Sequence, residues 1–117
     1  MKEDKRGEWW NMPKYPFMMR FDDGLEFFYD DLVLDKNGCQ SLNVYARRWN
    51  PHSKSFDTLI CTIYNTCPTA GFYMPKYKVV EVFGFSDEDA NKVIKRIRNY
   101  SADLAKQALY KKKGERP

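Results

Sequence analysis

Between residues 17 and 49, two Asx–Gly pairs interrupt runs of strand-forming residues, and this punctuation constrains the fold more than any other feature. Phe17-Met18-Met19-Arg20-Phe21 leads into Asp22-Asp23-Gly24 and on to Leu25-Glu26-Phe27-Phe28-Tyr29. Leu32-Val33-Leu34 then leads into Asp35-Lys36-Asn37-Gly38 and a third run from Gln40 to Trp49. Glycine adopts positive φ without a steric penalty, so an Asx–Gly pair between apolar runs reads as a hairpin turn. Asn50 to Ser55 is a polar loop around Pro51, and Phe56 to Tyr64 is a fourth run rich in Thr and Ile. Residues 65–75 carry Pro68, Gly71 and Pro75 and read as irregular, and Lys76 to Phe85 is a fifth run.

At Ser86 the period changes from two to that of a helix. Ser86 is an N-cap residue, Asp87, Glu88 and Asp89 suit the positive end of the helix dipole, and Phe85 is placed to staple onto Ala90. Apolar residues recur at 90, 93, 94, 97, 100, 104, 108 and 109, and Lys111-Lys112-Lys113 followed by Gly114 closes the segment. The expected fold is α+β: an antiparallel β-meander of four to five strands, at about 16–22, 25–34, 40–49, 56–64 and 76–85. It packs on one long C-terminal helix at about 87–112. A chain of 117 residues suits one domain, taken as 15–113, with tails at 1–14 and 114–117.

Charge is distributed unevenly. Residues 1–35 hold five Lys/Arg against nine Asp/Glu, a net −4, and the remainder carries +8. That asymmetry predicts a bipolar surface. The apolar runs are too short to cross a bilayer, which takes about 20 residues, and Met1-Lys2-Glu3-Asp4-Lys5-Arg6 leads into no apolar segment of a signal peptide. No membrane association and a cytoplasmic location are the expectations. Cys39, Cys61 and Cys67, odd in number and without a disulfide-like spacing, agree with reduced thiols.

Several kinds of chemistry find no support. His52 is the single histidine, no C-x-x-C occurs, and there is neither a Walker A pattern nor a G-x-G-x-x-G after a strand. Asp22, Asp23, Glu26, Asp30, Asp31 and Asp35 crowd the early hairpins. Two of them sit in a turn, however, and the adjacent strand positions 30 and 31 point to opposite faces, so solvated turn charges account for them better than a metal site. The expectation is a non-enzymatic protein with no cofactor and no metal.

Binding is the class that remains. On the third strand one face carries Leu42, Val44, Ala46 and Arg48, and the other Asn43, Tyr45, Arg47 and Trp49. Rings stack on bases and guanidinium groups meet phosphates, so Tyr45, Arg47 and Trp49 are candidate nucleic-acid contacts. Lys92, Lys95, Arg96 and Lys106 fall on the helix side opposite Ile94, Ile97, Ser101 and Ala108, and would add electrostatic support. Arg98 stands apart, near the apolar edge, with the acidic hairpin as a source of partners. A meander followed by a helix resembles the plan of the single-stranded-DNA-binding fold of the positive-cofactor-4 type, with Tyr45-Ala46-Arg47-Arg48-Trp49 as a loose echo of its basic, aromatic strands. That resemblance is one of plan and assigns no residue.

The leading expectation is therefore a module that contacts nucleic acid or a nucleic-acid-handling protein. The rival is a small protein-binding inhibitor or adaptor, of the kind mobile elements and phages carry, anchored by Trp9, Trp10, Phe72 and Tyr73. Self-association into a homodimer through the same tail or a bare sheet face is the third.

Overall fold

A computed structural model describes residues 14–19, 21–36, 38–65 and 75–114, with side chains to residue 111. The strands are β1 (Tyr15–Pro16), β2 (Glu26–Tyr29), β3 (Val33–Leu34), β4 (Gln40–Asn50), β5 (Ser55–Tyr64) and β6 (Lys76–Phe83). They are followed by α1 (Asp87–Asn99) and α2 (Ser101–Gly114). All strand pairings are antiparallel, in the order β1-β2-β4-β5-β6, with β3 joining β4 beyond the end of β2. The α+β architecture is as expected, with three differences in detail.

The two glycine turns form. Gly24 and Gly38 take φ of +80° and +83°, their amides donating to Phe21 O at 3.2 Å and Asp35 O at 3.0 Å. The expected first strand, however, is reduced to Tyr15–Pro16, and the second breaks at Asp30 into β2 and β3. Asp30 Oδ2 accepts from Asn43 Nδ2 at 3.0 Å and Tyr45 Oη at 2.8 Å, so its side chain is held across the strands. Leu32 then turns into the core while Val33 and Leu34 stay exposed.

β4 and β5 form the central hairpin, in register from Ser41↔Tyr64 to Asn50↔Ser55. Its turn is built by Asn50, whose Oδ1 accepts from the amides of His52 at 3.0 Å and Ser53 at 3.4 Å, an Asx turn. Alternation sends Leu42, Val44 and Ala46 of β4 and Leu59, Cys61 and Ile63 of β5 to one face. There they form the core with Phe27, Tyr29, Phe85, Ala90, Val93, Ile97, Leu104 and Ala108.

The single long helix is in fact two. Ser86 caps α1 as expected, accepting from Asp89 N at 3.1 Å. At Tyr100 the backbone moves to φ −104°, ψ 12°, and Ser101 Oγ donates to Arg98 O at 2.8 Å. A hydroxyl that competes for a helix carbonyl weakens the helical ladder. The Tyr100 ring is meanwhile packed edge-on against Phe17 at 6.0 Å and Phe21 at 5.4 Å. Neither helix is long and apolar enough to cross a membrane.

Candidate binding surfaces

The face of β4 turned away from the helices carries Tyr45, Arg47 and Trp49, as the alternation predicts, but not as an open platform. Tyr45 is fully buried (0 % exposed). Its hydroxyl donates to Asp30 Oδ2, and Thr62 Oγ1 donates to Asn43 Oδ1 at 2.6 Å, so Thr62, Asn43, Asp30 and Tyr45 form one polar chain from β5 through β4 to the segment after β2. Burial, then the bond to Asp30 and its charge, push the phenol well above its usual pKa. Lys14 Nζ sits 5.2 Å above the Tyr45 ring; desolvation lowers its pKa, with Asp30 pulling the other way. A ring enclosed in this way presents little surface for stacking.

Arg47 is also engaged. Its guanidinium lies between two phenyl rings, 4.4 Å from the centroid of Phe56 and 4.9 Å from that of Phe28, and Nε meets Glu26 Oε1 at 3.1 Å. Trp49 is half exposed, its ring edge-on to Phe56 at 5.2 Å. Of the three residues, Trp49 is the most exposed.

The basic stripe lies on α1 and α2, which cover the other side of the sheet, so stripe and strand face are back to back. Within the stripe, Lys92 pairs with Glu88 at 3.4 Å, and Arg96 Nη1 lies 3.0 Å from both carboxylate oxygens of Asp23. Lys95 and Lys106 are exposed. The acidic hairpin thus takes Arg96 as its helix partner, whereas Arg98 sits 5.3 Å over the ring of Tyr77 on β6. Trp9, Trp10, Phe72 and Tyr73 lie outside the described residues. Among the described residues, no group of three or more His, Cys, Asp or Glu stands together. A cleft beside the first turn is lined by Phe17, Met19, Phe21, Leu25 and Phe28, and by Glu26, the partner of Arg47.

Two features went unread in the sequence. Arg48, placed by alternation on the helix side, joins sheet to helix: Nη2 lies 3.3 Å from Asp89 Oδ2 and 3.9 Å from Asp57 Oδ2, with the guanidinium 5.1 Å over Phe85. The position of Arg48 at the end of the aliphatic row was the available signal.

The second is the status of β6 as an edge. Among the described residues it pairs with β5 alone. Tyr77, Val79, Val80, Val82 and Phe83 each keep 36–44 % of their surface exposed. The opposite edge is blunted: β1 and β3 have two residues each, and β1 contains Pro16. Short strands and prolines are the usual protection of a sheet edge, because an unpaired ladder invites another chain. β6 has eight residues and no proline. Arg98 over Tyr77 sets the C-terminal end of α1 beside the start of this strand. No family model, no curated protein and no solved structure matches the chain.

Proposed function

We propose that this domain is a non-enzymatic protein-binding module that takes an extended segment of another polypeptide alongside β6. The observation that carries this reading is the inequality of the two sheet edges: one is shortened and carries Pro16, the other is long and bears exposed apolar side chains, chiefly on its helix side. Strand addition draws affinity from main-chain hydrogen bonds and specificity from alternate side chains, and an edge of this kind supplies both. Contiguous exposed apolar surface on a small domain commonly marks an interaction site. The nucleic-acid reading has less support, since Tyr45 is enclosed, Arg47 and Arg96 are paired, and the remaining candidates are divided between opposite sides of the sheet.

The test is an amide-shift titration of isotope-labelled protein with a Val/Thr-alternating peptide carrying one Glu. Shifts should concentrate in residues 76–83 and vanish when alternate peptide amides are N-methylated, which removes the ladder. Equal binding by the methylated peptide, or shifts elsewhere on the sheet, would overturn the reading. Salt-sensitive oligonucleotide binding lost with Lys95 and Lys106 would return the function to nucleic acid.

A further inference from the structure

We infer that the segment β6 accepts is β6 of a second copy of this chain, in antiparallel register with Lys78 opposite Glu81. The inference rests on the reading that β6, which among the described residues pairs with β5 alone, accepts a further strand, and adds the partner and the register.

The argument starts from an irregularity. β5 pairs Leu59 with Val82 and Ile60 with Glu81, but Cys61 with Val79, so Val80 is an extra residue in β6. In a regular strand, residues three apart point to opposite faces. The bulge cancels that offset. Lys76, Lys78, Glu81 and Phe83 pair with Tyr64, Thr62, Ile60 and Thr58 and share the face away from the helices; Tyr77, Val79 and Val82 share the helix side.

A two-fold axis through the middle of β6 and normal to the sheet then overlaps all eight residues, about 27 Å of strand at ~3.4 Å per residue. Lys76 meets Phe83, Tyr77 meets Val82, Lys78 meets Glu81, and Val79 meets Val80 of the second copy. Except at the bulge itself, the two members of every pair face the same side, as a ladder demands. Each ammonium lies opposite a ring or a carboxylate, and opposite charges across strands are favourable.

Lysine on an edge ordinarily discourages pairing, because a partner strand leaves the charge unmatched. Here Glu81 removes that penalty in the full-overlap register. The product is one continuous sheet running through both copies.

The experiment is light scattering coupled to size exclusion on the full chain over a range of concentrations, with Lys78→Glu and Glu81→Lys variants. Wild type should give twice 13.9 kDa. Each variant sets like charges opposite each other twice per dimer, and should dissociate about ten- to thirty-fold more readily. Mixing the two variants restores both ion pairs, so the mixture should dimerise where neither does alone. Circular dichroism matching wild type separates this from misfolding, and the mixing result itself requires folded partners. A wild-type monomer at every concentration, or a dimer indifferent to both substitutions and to mixing, would overturn the self-pairing. In the first case the peptide titration still decides strand addition: shifts at 76–83 preserve it with another partner, and their absence removes both ideas.

Discussion

Arg96 on α1 clasps the first hairpin turn through Asp23, with Nη1 3.0 Å from each carboxylate oxygen. The same carboxylate accepts from Leu25 N at 3.2 Å. Burial alone would raise the pKa of Asp23, but the Leu25 amide and the Arg96 guanidinium outweigh it and hold the group below its ordinary value. A carboxyl lowered in the folded state contributes stability that is present above its unfolded pKa of about 4 and is lost as pH falls through the folded value. Both side chains are partly solvated, so Asp23→Asn should cost only about 0.5–1 kcal/mol at neutral pH. Urea unfolding of the two proteins should show that gap closing as the medium is acidified below pH 4. A gap constant with pH would mean that the charge of Asp23 is irrelevant.

Gly84 and Gly24 both have positive φ, at +88° and +80°, but differ in what surrounds them. A Cβ on Gly84 would run into the Asp57 carboxylate and lie 3.2 Å from Asp57 Cα, whereas a Cβ on Gly24 meets nothing within 4 Å. Gly24→Ala should cost about 1–2 kcal/mol from backbone conformation alone. Gly84→Ala adds the collision and should cost about 3 kcal/mol or more, with Arg48 disturbed through its shared partner Asp57. Equal losses in denaturant titrations would show that Asp57 moves aside freely.

Arg47 should behave as a structural residue. Arg47→Ala removes a cation held against Phe28 and Phe56 and takes from Glu26 its ion-pair partner, for an expected loss of about 1–2 kcal/mol. Arg47→Lys keeps the charge but not the flat stack, and should recover less than half of it. Unchanged melting of the alanine variant would release Arg47 for a role in binding.

The cysteines should differ in reactivity. Cys61 is buried between the sheet and α1, and burial pushes its thiol up to about 11. Cys39 is partly exposed beside the second turn. Site-resolved mass spectrometry after native alkylation at pH 8 should find Cys39 modified well before Cys61, since the thiolate is the attacking species. Comparable rates would indicate frequent opening of the β4–β5 hairpin.

What could be read from the sequence was whatever depends on near neighbours. The turns at Gly24 and Gly38, the cap at Ser86 and the alternation of β4 all follow from residues within a few positions of one another. The break at Tyr100 follows only in part, because beside the local Ser101 hydroxyl it involves packing on Phe17 and Phe21, far away in the chain. The bend at Asp30 depends on Asn43 and Tyr45 across the strand. The site suffered in the same way. Alternation separated Tyr45 and Arg47 from the aliphatic face, but whether that face is open is a property of the assembled molecule. The edge position of β6 emerges only with the strand order, and the bulge at Val80 only with the register.

The central hairpin also has a bearing on how the chain is made. Residues 40–64 pair with one another through a tight turn and need no distant segment to find their register. Synthesis delivers them well before residues 87–114, whose helices supply the cover for Leu42, Val44, Leu59 and Ile63. During that interval the nascent protein displays a broad oily sheet with nothing over it, the condition in which unfinished chains stick to one another or call on chaperones. The helices made after the hairpin are therefore what makes the earlier strands safe, and a chain cut short at Ser86 should collect in inclusion bodies.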